Sequence, residues 1–151
     1  MTLYALFPLR HEWSLLVLVA LGLPLVYQDI KFQSVSAPLL IFTYGIWCSF
    51  GLLFPGWSTH LAEAGVTLIV GTLLLVFFPG RLGEADVIFM SGLAFLLNFW
   101  SLLVALALSC LAALGAYTWS LRLGGHDERV VAIPFLPSLF WGGLTVIMGK
   151  I

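Results

Sequence analysis

Short polar stretches cut this chain into long uncharged apolar runs, and that pattern constrains its fold more than any other feature. Residues 13–28, 37–54, 64–78 and 87–121 contain no Asp, Glu, Lys or Arg. A backbone amide or carbonyl left unpaired in hydrocarbon costs several kcal/mol, so runs of this kind are stable in lipid only as helices or closed barrels. Runs of 15 residues and more, without the strict alternation of a barrel strand, predict helices. Only 9% of the residues are charged, against about 25% in a soluble domain. So few charges cannot clothe a water-facing surface, and the expectation is an all-α, polytopic membrane protein. A net charge of −1 leaves no electrostatic footprint for nucleic acid.

The runs predict the topology. Residues 13–28 form a first crossing, kinked near its end by Pro24. The run lacks a small-x-small cleavage site before Asp29 and reads as a retained anchor rather than a cleaved signal. A polar loop at 29–36 leads to a second crossing over 37–54. Pro55-Gly56-Trp57-Ser58-Thr59-His60 reads as a turn at the opposite interface, and 64–78 is the core of a third crossing, stopped by Pro79-Gly80. The run 87–121 would be about 52 Å long as one helix, too long for a single pass. Asn98, near its middle, offers a hinge, so two crossings are expected there, the first of them short. A charged loop at 122–129 precedes a last crossing over 130–148, with Pro134 and Pro137 in its first turns. The total is six transmembrane helices in one bundle, a single domain over 1–151.

Parity then carries weight. Two crossings separate Asp29 from Asp86, so both aspartates lie at the same membrane face. Lys31, Arg81, Arg122 and Arg129 share that face, with Arg10 and Lys150 opposite. Lys and Arg accumulate on the cytoplasmic side of membrane proteins, which makes the aspartate face cytoplasmic.

Two carboxyl groups brought close together cannot both ionise cheaply, so one keeps its proton. The ionised partner can draw a proton from water while the protonated one polarises a peptide carbonyl, the chemistry of an aspartic protease. Other nucleophilic arrangements fit less well. His11, His60 and His126 lie in loops or near the terminus, and His60 falls on the wrong face. Cys48 and Cys110 sit apart in apolar runs with no C-x-x-C pair, as packed small residues do, so no metal or organic cofactor is expected. The same carboxylates have simpler readings. Asp29 can cap its loop or pair with Lys31, Glu84 can be solvated at the interface, and Asp127 and Glu128 can belong to a charged loop beside Arg129.

Three segments in order resemble the type IV prepilin peptidases and preflagellin peptidases, intramembrane aspartic proteases of the GxGD type. Asp29-Ile30-Lys31, leading to Val35-Ser36, is similar to the family's first aspartate with its basic loop. Gly83-Glu84-Ala85-Asp86 is similar to Gly-x-Gly-Asp. Ile133-Pro134-Phe135-Leu136-Pro137 is similar to a late Pro-Phe-Gly-Pro element. The chain departs from the pattern at Ala85, Ser36 and Leu136, and no lysine follows Asp86. Alanine at 85 raises a conformational question, because it tolerates positive φ poorly.

The resemblance implies an endopeptidase of the cytoplasmic (inner) membrane with Asp29 and Asp86 as catalytic residues. Gly83, Ala85, Lys31, Pro134, Phe135 and Pro137 would shape the substrate site. The implied substrate is a prepilin or pseudopilin precursor, whose short basic leader precedes an apolar helix and is cut at the cytoplasmic face. The chain resembles the short form of the family, without an N-terminal methyltransferase domain, so no methyl transfer is expected. Two alternatives stay open on the residues alone: a non-enzymatic multipass protein such as a transporter subunit or scaffold, and a catalytically degenerate peptidase. The first should hold an ionisable group near the bilayer midplane, and the apolar runs offer none beyond the polar Asn98.

Overall fold

The computed structural model describes residues 9–53, 56–79, 82–123 and 135–149. Six helices follow one another: α1 (Leu9–Phe32), α2 (Ala37–Leu52), α3 (Trp57–Phe77), α4 (Glu84–Leu96), α5 (Phe99–Leu123) and α6 (Leu136–Met148). The loop expected at 29–36 is shorter than its polar residues suggest. α1 continues through Asp29 to Phe32, because Asp29, Ile30 and Lys31 are all compatible with helix and no glycine or proline stops it earlier. The reversal comes at Gln33, with φ of 50°, and is pinned by the Gln28 side-chain oxygen accepting the Ser36 N–H at 3.0 Å. Similarly, α3 starts at Trp57 rather than after His60. Gly56, at φ of 86°, makes the tight entry and leaves the following residues free to coil.

The break in the longest run falls where Asn98 predicted it. Leu97 turns extended, and the Asn98 side chain accepts the Ser101 N–H at 2.9 Å, capping α5. The last helix begins later than expected, at Leu136, with Pro137 in its first turn, where proline costs no hydrogen bond. Pro134, Arg81 and the acidic pair Asp127 and Glu128 lie outside the described residues.

Three helices contain apolar stretches long enough to cross a bilayer: Glu12–Phe32, Trp57–Phe77 and Phe99–Trp119. α2 and α6 are apolar but shorter. α4 has 13 residues, a rise of about 20 Å against a hydrocarbon core of ~30 Å. Six helices therefore stand where six crossings were expected, and three have full spanning length. The outward surfaces of the long helices are apolar: Leu16, Ile69, Val104 and Leu111 are all more than half exposed. That suits lipid and not water.

α4 is the centre of the packing. Val87 and every residue from Phe89 to Leu97 are buried. α2 and α3 pack on α4, α5 packs on α6, and α6 packs on α1. Contact is close where side chains are smallest, as in membrane bundles generally. Val87 fills the space beside Gly71, and the Ser91 hydroxyl donates to the Ala64 carbonyl at 2.9 Å. These pairs set an antiparallel register between α3 and α4. Tyr44 of α2 reaches the same serine at 3.1 Å, so one buried hydroxyl joins three helices. Trp47 and Phe89 meet edge to face, centroids 5.0 Å apart.

Glu63 has no counterpart in the sequence reading. Its carboxylate accepts the Phe99 N–H at 3.2 Å and lies 3.5 Å from His60 Nδ1. It therefore ties the α4–α5 turn to α3 at the end of the bundle remote from Asp86.

Candidate active site

α1 ends, α4 begins and α6 begins at the same end of the bundle. α1 and α4 are held in relation by α2 and α6, each of which packs on both. Asp29 occupies the last turn of α1 and Asp86 the first turn of α4, so each carboxylate hangs from a helix end fixed by its neighbours.

Asp86 is the third residue of α4, and Gly83 is its N-cap. The Gly83 N–H donates to Asp86 Oδ2 at 3.3 Å, and the Asp86 N–H donates back to the Gly83 carbonyl at 3.1 Å. The carboxylate thus answers one of the free amides at the helix start. A Cβ on Gly83 would stand 2.9 Å from Oδ2, so this glycine lets the carboxylate lie against the backbone. Asp86 precedes the apolar part of α4 and lies outside the three spanning stretches. Burial pushes its carboxyl up from 3.8 to about 6; the Gly83 N–H holds it back in part, and the charge of Asp29 raises it. The Asp29 charge is the smallest of these three influences, and it puts the two acids within electrostatic reach of each other.

Asp29 faces the start of α6, where the Leu136 backbone N–H lies against its carboxyl. Its Oδ2 is shut away from solvent and has no hydrogen-bond partner. An enclosed acceptor without a donor is costly, and a proton from the neighbouring acid or from a water would relieve it.

The other expected site residues divide. Ala85 lies within the first turn of α4, and Gln33 is the only non-glycine with positive φ among the described residues. Alanine at 85 is therefore unstrained, which answers the question its substitution for glycine raised. Phe135 is the N-cap of α6 and Pro137 stands in that helix's first turn. Both belong to the element that faces Asp29. Lys31 is exposed and turned along its own helix. Its Nζ donates to the Tyr27 hydroxyl at 3.3 Å and sits 5.2 Å from the Phe32 ring centroid. These contacts hold the amine along its own helix rather than against Asp29. Glu84 is exposed beside the site.

The group beside Asp29 that the sequence reading does not name is the Leu136 amide. Backbone donors carry no residue signature. The available signal was Pro137, since a proline in a first turn marks a helix start and with it a set of free amides.

The sequence model of the type IV leader peptidase family matches residues 16–118, a segment that contains both aspartates. No curated protein and no solved structure matches the chain.

Proposed function

The chain belongs to the type IV leader peptidase family, and from that premise we propose that it is an intramembrane aspartic endopeptidase whose catalytic pair is Asp29 and Asp86. One observation supports the reading: Asp29 in the last turn of α1 and Asp86 in the first turn of α4 hang from helix ends tied together by α2 and α6, and the charge on Asp29 is among the influences that raise the Asp86 carboxyl. Between them they hold one proton over the working pH range and titrate as a unit. The ionised member takes a proton from the attacking water while the protonated member donates to the scissile carbonyl. The Leu136 and Gly83 amides orient one carboxyl each. No metal ion enters this chemistry.

The substrate is a prepilin or pseudopilin precursor. Its short basic leader lies in the cytoplasm and its apolar helix lies in the bilayer, with the scissile bond at the junction. All six helices cross the cytoplasmic membrane, the bilayer thinning or the bundle tilting to accommodate α2, α4 and α6. The active site opens to the cytoplasm, the side favoured by Lys31, Arg81, Arg122 and Arg129. Phe135 and Pro137 shape the edge of the site next to Asp29, and Glu84 offers a negative charge to the leader.

The test is co-expression with a precursor carrying a basic leader, comparing wild type with Asp29→Asn and Asp86→Asn. Loss of cleavage in both variants is the expected result. Cleavage that survives either substitution rules out the pair as the catalytic unit.

A further inference from the structure

Between α3 and α5 an apolar cleft opens on the outside of the bundle, with α4 buried behind it. α2 covers α4 through Trp47, which fills the space beside Gly92, and α6 covers it where Gly143 lies against Leu93. α3 covers it at Val87. Met90 faces none of these contacts. It forms the floor of a cleft of about 330 Å³ whose walls include Val70 and Leu74 of α3 and Leu103 and Leu106 of α5. The lining presents no free polar group, because the Thr67 hydroxyl donates to the Glu63 carbonyl at 2.7 Å. Val70 and Leu103 are 50% and 41% exposed, so the cleft is open along its length.

Its position along α4 matters more than its volume. Met90 follows Asp86 by four residues, which puts it one turn deeper on the same side of the helix. The register that sets Gly71 against Val87 brings Leu74 level with the first turn of α4. At the other end the cleft reaches Phe99, beyond the α4–α5 turn. From Val66 to Leu74 it runs about 12 Å along α3, and its Leu74 end lies level with the turn of α4 that carries Asp86.

We propose that the α3–α5 cleft is the lateral entrance and docking groove for the apolar helix of the substrate. The inference rests on the proteolytic reading above and adds to it the route and the contact surface. A precursor whose helix lies in the bilayer has to bring the junction between leader and helix to Asp86 without leaving lipid. α2 packs on α4 through Trp47 and α6 through Gly143, and the cleft offers an apolar approach from lipid to the level of Asp86. A helix lying along it buries apolar ridges against Val70 and Leu103, and its upper end emerges beside Asp86. Methionine suits the floor, because its unbranched side chain repacks around different sequences. The groove selects an uncharged, apolar helix and reads little of its sequence.

The probe is a designed precursor, a lysine-rich leader joined to a leucine–alanine helix of about 20 residues, reconstituted with the enzyme in phosphatidylcholine–phosphatidylglycerol vesicles. A photoreactive phenylalanine derivative replaces Val70 or Leu103 in the Asp86→Asn background. The same residue at Ile69, exposed on the outward side of α3, is the control. Cross-linking to the precursor from 70 and 103 at several times the yield from 69 is expected. In the active enzyme, Val70→Trp and Leu103→Trp should raise KM about tenfold with kcat unchanged, the equivalent of about 1.4 kcal/mol of docking energy, while Ile69→Trp leaves both constants alone. Cross-links confined to lipid or to a second enzyme copy, or an unchanged KM, overturn the proposal. Cross-linking needs no turnover, so the two readings can fail separately. Strong cross-links without cleavage sink the proteolysis and keep the groove. Cleavage without cross-links sinks the groove alone.

Discussion

Replacing Asp86 with asparagine should make the protein more stable at neutral pH while abolishing its proposed chemistry. The folded carboxyl titrates at about 6, against an ordinary 3.8. A carboxyl whose pKa is raised on folding binds its proton more tightly in the folded state than in the unfolded state. Stability is therefore greatest below pH 3.8, falls as pH rises toward 6, and stays at its lower value above that. The difference of about 2 units, at 1.36 kcal/mol each, makes the ionised form cost about 3 kcal/mol at pH 7.5. Asparagine has nearly the same shape, its amide oxygen can accept the Gly83 N–H, and it never ionises. Asp86→Asn should thus exceed wild type by about 3 kcal/mol at pH 7.5 and match it near pH 3.5. The assay is reversible unfolding in mixed detergent micelles at the two pH values. Titrating groups that do not interact with Asp86 are common to both proteins and cancel in the comparison, and Asp29, relieved of a neighbouring charge in the variant, shifts the balance in the same direction. Equal stability at both pH values, or a less stable variant at pH 7.5, would refute the claim that burial and Asp29 disfavour the charge on Asp86.

Three further outcomes follow from individual contacts. Gly83→Ala sets a Cβ against Asp86 Oδ2 and removes a bond that favours the ionised acid; kcat/KM should fall about tenfold and the acidic limb of the pH–rate profile should move upward. Ser91→Ala removes the two side-chain bonds that tie α4 to Tyr44 of α2 and to the Ala64 carbonyl of α3, and should lower stability by about 1–2 kcal/mol in the same unfolding assay. Glu84→Lys places a like charge beside a basic leader, so KM for such a substrate should rise about threefold at low salt, with the effect shrinking at high salt and kcat unchanged.

Much of the architecture was legible because membrane helices announce themselves. The apolar runs located every helix, and Asn98 located the hairpin within the longest run because a polar side chain there can cap a new helix. Boundaries were less secure where nothing local opposed coiling. Asp29, Ile30 and Lys31 look like loop residues by polarity, yet they extend α1 by a turn, and Trp57 to His60 do the same at the start of α3. Helical lengths then came out longer for α1 and α3 and shorter for the last helix, whose start is set by Pro137.

The division has a physical basis. The order of apolar runs counts crossings, and counting alone puts Asp29 and Asp86 at one end of the molecule. Helices that are apolar on every side, however, carry no mark of which face meets protein and which meets lipid. The burial of α4, the Leu136 amide against Asp29, the tie from Glu63 to Phe99 and the cleft between α3 and α5 all arise from how side chains of different helices fill space around one another. Hydropathy decided which residues share an end, and interlocking volumes decided which of them touch.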